Sequence, residues 1–255
     1  MARWLRWLCI VLLASTAARA DDRFAPPAQI NLASDQWLEY TNADGTGLGW
    51  DLLRKVFEPA GVSVRFRIVP YSRSVGLVQR GEADAWVGSY KDEAQALYPR
   101  WNYDTDHIYA LGLIGHPRPS VATIGSQRLT WVRGYDFQKY LPNVQHFNEV
   151  QRRSGILAML QHDRADYYID SLNEINFILK AAADPGIYHT TPLVDLPMYL
   201  GFADNPRGRA LLRLYDQRMD ELVANGQLRE IFQRWKQPYP FDSGKPSSTP
   251  LINIP

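Results

Sequence analysis

Residues 47–88 read GLGWDLLRKVFEPAGVSVRFRIVPYSRSVGLVQRGEADAWVG, and this stretch sets the architecture. Leu52, Leu53, Val56 and Phe57 recur at helical spacing on one face, and Pro59-Ala60-Gly61 ends that helix. Val62, Val64, Phe66 and Ile68 then alternate with Ser63, Arg65 and Arg67, the period of a half-buried strand. A second helix is predicted over Ser72–Arg80, stopped by Gly81, and a short apolar strand over Ala85–Gly88. Upstream, Gln29–Ala33 reads as one more strand. Strand, helix, strand, helix, strand is the order of an α/β unit with a mainly parallel sheet.

A second unit follows. Strands are predicted at Tyr109–Gly115, Leu129–Val132, Val144–Phe147, Tyr167–Ile169 and Met198–Phe202. Helices are predicted to start at Asp136–Tyr140 and to cover Ser154–Gln161 and Ser171–Ala182. Asn205 caps a long helix with Pro206 at its first position, Asn225-Gly226 stops it, and Leu228, Ile231, Phe232 and Trp235 share a face of a last helix. An internal echo relates the two units. QRGEADAWVGS at 79–89 and QHDRADYYIDS at 161–171 both leave a helix and enter a strand through Ala-Asp and an aromatic. Ligands of open parallel sheets sit beyond the carboxyl ends of strands. Gly88-Ser89-Tyr90 and Asp170-Ser171 therefore fall at corresponding edges, one per lobe, and two facing edges make a cleft.

The beginning of the chain points to export. Arg3 and Arg6 precede the apolar run Leu8–Ala14, and Ala18-Arg19-Ala20 offers small residues to a signal peptidase, so residues 1–20 are expected to be a signal peptide. Such a run is short for a membrane span, which needs roughly 20 apolar residues. Cleavage would remove Arg3, Arg6 and Arg19 and leave 25 basic against 27 acidic residues, with the one cysteine gone. That balance is no footprint for nucleic acid, and it leaves no disulfide or thiol chemistry. Residues 237–255, rich in proline, are expected to be a flexible tail.

With residues 47–88 and the closing MYLGFADNPRGRALLRLYDQRMDELVANGQLREIFQRW at 198–235, the chain resembles the bacterial extracellular solute-binding proteins of the polar amino acid uptake family. The resemblance covers about residues 29–236. It implies an α/β, two-lobed periplasmic-binding-protein fold of type II. Each lobe is then a mainly parallel sheet flanked by helices, and two crossing strands join them near Leu111–Leu113 and Asp195–Pro197. The implied parts are a first lobe from 21–112 and 197–236, and a second from 113–196. The implied function is a monomeric periplasmic protein that closes on a small solute and delivers it to an inner-membrane ABC permease, with no cofactor, metal or nucleic acid. The same fold also serves as the ligand-sensing part of receptors, and a few of its members are enzymes. No G-x-S-x-G elbow or metal-spaced histidine pair accompanies this chain, so a binding role without catalysis is expected.

The resemblance also directs attention to particular residues. Asp35 and Trp37 follow the first strand, where an aromatic stacks on the ligand. Tyr71 and Arg73 follow Pro70, and Arg73 could grip a carboxylate through two hydrogen bonds. Gly88, Ser89 and Tyr90 offer backbone N–H groups, a hydroxyl and a ring. Many family members carry, a few residues later, an arginine for the α-carboxylate; this chain has Lys91-Asp92-Glu93-Ala94 there. Either Arg73 or Arg133 replaces that charge, or the ligand is different. Arg133 and Tyr135 lie at a strand-to-helix turn whose N–H groups would favour an anion, unless Asp136 merely caps the helix. Asp170 or its neighbour Ser171 matches the place where the family holds a ligand ammonium. The solute class implied is an amino acid-like zwitterion, an amine or an organic acid.

Overall fold

The computed structural model describes residues 27–91 and 93–246, and the backbone of 251–252. The expected signal peptide, and residues 247–250 and 253–255 of the expected tail, lie outside the described residues. The strands are β1 (Gln29–Ser34), β2 (Ser63–Ile68), β3 (Ala85–Tyr90), β4 (Asp104–Leu113), β5 (Arg128–Val132), β6 (His146–Val150), β7 (Tyr167–Ser171), β8 (Tyr188–Phe202) and β9 (Leu251–Ile252). The helices are α1 (Leu48–Phe57), α2 (Tyr71–Gln79), α3 (Val121–Ile124), α4 (Ile156–Gln161), α5 (Leu172–Leu179), α6 (Pro206–Ala224) and α7 (Arg229–Arg234). Among the described residues, no helix is long and apolar enough to cross a membrane.

The strands run in the order β2-β1-β3-β8-β4-β7-β5-β6, with β9 beside β8. In the first lobe β1 pairs in parallel with β2 and β3; in the second β5 pairs in parallel with β6 and β7. The antiparallel pair β4 and β8 joins them. α1 forms because its apolar face is committed to the core: Leu52, Leu53, Val56 and Phe57 are all fully buried. Trp50 on the same helix stacks on Phe66 of β2 at 4.4 Å between ring centres. Gly61 ends this helical run in the left-handed conformation, φ +80°, which glycine adopts without a Cβ penalty.

The repeated Ala-Asp step has a structural meaning. The amide of Asp84 donates to the carbonyl of Asn31 at 2.8 Å, and its carboxylate accepts the Asn31 amide at 2.7 Å. In the second lobe the Asp166 amide donates to the carbonyl of Arg128 at 2.8 Å, and its carboxylate accepts the Arg128 amide at 2.7 Å. Each aspartate thus closes the entry of its lobe's third strand onto the first, and an arginine, Arg207 or Arg128, neutralises it. Gly88 and Asp170 consequently occupy equivalent positions four residues further on, at the edges that face each other.

Four expectations are corrected by the fold. By Ile108, β4 already pairs with β7 of the second lobe, so its crossing lies at Asp104–His107 rather than at Leu111–Leu113. The helix expected from Asp136 is one 3-10 turn, Phe137–Lys139, because Asp136 takes a left-handed conformation at φ 53°. β8 begins at Tyr188, well before the predicted Met198; its prolines masked it, and Pro192 sits where the ladder shifts register. The start of the expected tail is packed. Phe241 is 2 % exposed and meets Trp101, Phe232 and Tyr239, while the Arg229 guanidinium covers the Tyr239 ring at 4.1 Å. Prolines fix φ without a hydrogen bond, so they hold an extended run against a surface as readily as they mark a loose one.

Candidate functional site

A cavity of about 460 Å³ opens between the lobes, within the range that suits small-molecule ligands. Four walls build it. The first lobe contributes Trp37, Leu38, Tyr40, Tyr71, Gly88 and Tyr90 from the loop after β1, the start of α2 and the end of β3. The second lobe contributes Tyr135, Asp170, and the start of α5 from Ser171 to Glu174. The crossing strands add Asp104, Thr105, Asp106, His107, Asp195 and Met198. Gln237–Pro240 forms the remaining side.

The lobes touch across this cavity. The Trp37 indole N–H donates to the Tyr135 hydroxyl at 2.8 Å. Tyr71 and Tyr135 meet edge to face at 5.4 Å between ring centres, and Tyr90 meets Tyr140 the same way at 5.0 Å. Lys139 Nζ donates to the Glu93 carbonyl at 3.3 Å. The described conformation is therefore closed.

Of the residues singled out by sequence, Trp37, Tyr71, Gly88, Tyr90, Tyr135, Asp170 and Ser171 are brought together as lining. Gly88 has φ +87°, and a Cβ there would lie 2.3 Å from the Trp37 ring, so only glycine lets the indole enter. The backbone donors expected at this edge are used internally. Gly88 N–H donates to Tyr103 Oη at 2.7 Å and Tyr90 N–H to Glu93 at 3.0 Å. Ser89 is fully buried behind the edge, its hydroxyl on the Tyr90 carbonyl and on Glu93. Asp35 also stands behind the lining; burial raises its pKa, and its carboxylate accepts the amide of Gln36 at 2.8 Å. Ser171 serves as the N-cap of α5 through the Glu174 amide at 3.3 Å.

Two expected anion holders lie outside the cavity. Arg73 is exposed on α2, because Tyr71 and Ser74 take the buried face of that helix. Arg133 is exposed and lies 3.9 Å from Glu149; the turn at Gly134, φ +87°, sends Tyr135 inward and leaves Arg133 outside. Neither is among the residues that line the cavity.

Glu93 occupies the region where an arginine for the α-carboxylate was sought, and it is held as a structural acid. Its carboxyl accepts from Tyr71 Oη at 2.6 and 2.7 Å, Tyr90 N–H and the Ser89 hydroxyl. Burial pushes its pKa up to about 7 against those hydrogen bonds.

The decisive charge escaped the sequence reading. Arg153 sits behind Tyr135, its Nε 2.8 Å from Asp170 and 3.2 Å from Glu174, and it donates to Tyr135 Oη at 2.7 Å. Burial opposes its charge, but the two carboxylates hold its pKa above the ordinary arginine value. Asp170 accepts additionally from Tyr168 Oη and the Ser171 amide. The carboxylate expected to meet a ligand ammonium is thus already neutralised by the protein. Nothing in Gln151-Arg152-Arg153-Ser154 marks it out. The hinge acids did carry a signal: Asp104 and Asp106 stand two apart at a strand start, and period two places them on one face. Asp104 accepts from Tyr40 Oη at 3.1 Å and from the Thr105 amide, and Asp106 from Tyr90 Oη at 2.9 Å. Desolvation raises both to about 7.

No protein-family model matches the sequence, and no curated protein matches it. Solved structures do. An ancestral arginine-binding protein bound to arginine superposes with a TM-score of 0.67 at 13 % identity, covering 82 % of this chain and 98 % of that one. A histidine kinase sensor domain with similarity to periplasmic binding proteins gives 0.67 at 16 % identity, covering 84 % and 97 %. EhuB in complex with hydroxyectoine gives 0.65 at 21 % identity, covering 83 % and 89 %. The chain has the two-lobed periplasmic-binding-protein fold.

Proposed function

We propose that the chain is an exported solute-binding protein that closes its lobes on one small polar molecule. The observation that carries this reading is the cavity itself, lined by both lobes, the crossing strands and Gln237–Pro240. A ligand that touches both lobes only when they are closed shifts the population toward closure. In this reading Trp37, Tyr71 and Tyr135 form an aromatic wall and Arg153 holds Asp170 and Glu174 in place. The filled, closed monomer is recognised in the periplasm by an ABC permease, which takes the solute without any chemical change to it. A second reading keeps the binding step and replaces the permease with a membrane sensor; the likeness to a kinase sensor domain favours it.

Thermal melting of the unfolded and refolded chain tests the binding step. A ligand at 100 times its dissociation constant adds about 2.7 kcal/mol, a rise of several degrees. A rise with one chemical group among amino acids, amines and organic acids is expected. A flat response across such a panel would contradict the proposal. Recovery of the added compound unchanged separates binding from turnover.

A further inference from the structure

Among the described residues, the cavity lining holds five carboxyl side chains, one histidine and no lysine or arginine. Their compensation is uneven. Asp170 and Glu174 share the Arg153 guanidinium, and Asp195 lies 2.7 Å from His107 Nδ1. Asp104 and Asp106 have no cation within ion-pair distance among the described residues; their hydrogen-bond donors are the neutral hydroxyls of Tyr40 and Tyr90 and a backbone amide. Asp104 is only 9 % exposed, yet it lines the cavity. Two desolvated acids on one face of a strand repel each other unless they take up protons or meet a positive charge. Desolvation raises both to about 7, and the more distant charges of His107, and for Asp106 of Arg153, offset it only in part.

Resting on the solute-binding reading, we infer that the cavity takes a small organic cation carrying no carboxylate, with its positive group seated at Asp104 and Asp106. Among the described residues a carboxylate would find no lysine or arginine in the lining; His107 is engaged with Asp195, and Arg153, behind the lining, is already committed to Asp170, Glu174 and Tyr135. The Tyr40 and Tyr90 rings beside the two acids give a cation apolar and quadrupolar surface as well as charge. A bare metal ion fits less well. Among the described residues, the side chains that converge closely enough for one are His116, Asp163 and Asp166, away from the cavity, where Arg128 already engages both carboxylates.

Calorimetric titration of the refolded chain with 1,4-diaminobutane, choline, lysine, glutamate and butanedioate tests this. At least one of the two cations without a carboxylate is expected to bind with a dissociation constant about tenfold or more below those of the three carboxylates. Asp106→Asn is expected to weaken that binding by about tenfold or more, the loss of a charge-assisted contact, without lowering the melting temperature of the ligand-free chain. Asp104→Asn provides the second variant should the first not fold. Tighter binding of lysine, glutamate or butanedioate would overturn the inference and leave solute binding standing. Unchanged cation binding in both folded variants would overturn the seat at Asp104 and Asp106. Absence of binding by all five probes would overturn the inference and the reading beneath it.

Discussion

The Trp37 indole and the Tyr135 hydroxyl are 98 residues apart in sequence and 2.8 Å apart in space, one from each lobe. The bond is available because Gly88 clears the space that the indole enters and Gly134 turns Tyr135 inward. Trp37→Phe keeps an aromatic wall and removes this donor. A net hydrogen bond contributes about 1 kcal/mol, so ligand affinity should fall about fivefold through a lower closed population. Titration of the variant with any compound that raises the wild-type melting temperature checks this, and unchanged affinity would remove Trp37 from the closing contact.

Arg153 is the hub of the second lobe's wall. Arg153→Met leaves Asp170 and Glu174 buried together without a cation, a situation that costs about 3–5 kcal/mol. Urea unfolding should show that loss. Combining it with Asp170→Asn and Glu174→Gln should restore a large part, since no uncompensated charge remains.

The raised carboxyls set a pH dependence. Glu93, Asp104, Asp106 and Glu174 are each near 7 in the folded chain, against 3.8 for free aspartate and 4.5 for free glutamate. Below about pH 4 both states hold these protons. Between about 4 and 7 the folded state keeps protons that the unfolded chain releases, so stability falls as pH rises, and the loss levels off above 7. His189, lowered by burial, works weakly the other way on the acid side. The ligand-free chain should therefore melt several degrees higher at pH 5.5 than at pH 8.0, and the reverse order would contradict the assignment.

The segment after α7 is predicted to contribute to the fold as well as to the cavity. Phe241→Ala removes a ring packed on Trp101, Phe232 and Tyr239 and should cost about 3–5 kcal/mol in urea unfolding. A chain ending at Lys236 should lose at least as much and also lose one wall of the site. Equal stability with and without residues after Lys236 would return the segment to a tail.

Most of the first lobe was legible because its signals are local. Apolar spacing in α1, alternation in β2 and the breaks at Gly61 and Gly81 specify elements without tertiary information. The Ala-Asp echo identified both lobes, since each aspartate serves the same pair of strands. What stayed hidden depends on partners far along the chain. Arg153 gains its role only when Asp170 and Glu174 arrive beside it. Arg73 and Arg133 look suitable in sequence, but the helix face of Tyr71 and the turn at Gly134 turn them outward. The prolines of β8 and of Gln237–Phe241 read as breakers where they act as fixed extended backbone.

Amide hydrogen exchange, with and without the compound that gives the largest melting shift, tests most directly whether one solute is held by both lobes. The account predicts slower exchange together at Trp37–Thr41 and Gly88–Tyr90 in the first lobe and at Gly134–Phe137 and Ser171–Glu174 in the second. Protection confined to one lobe, or absent from all four segments, would contradict closure on a shared ligand.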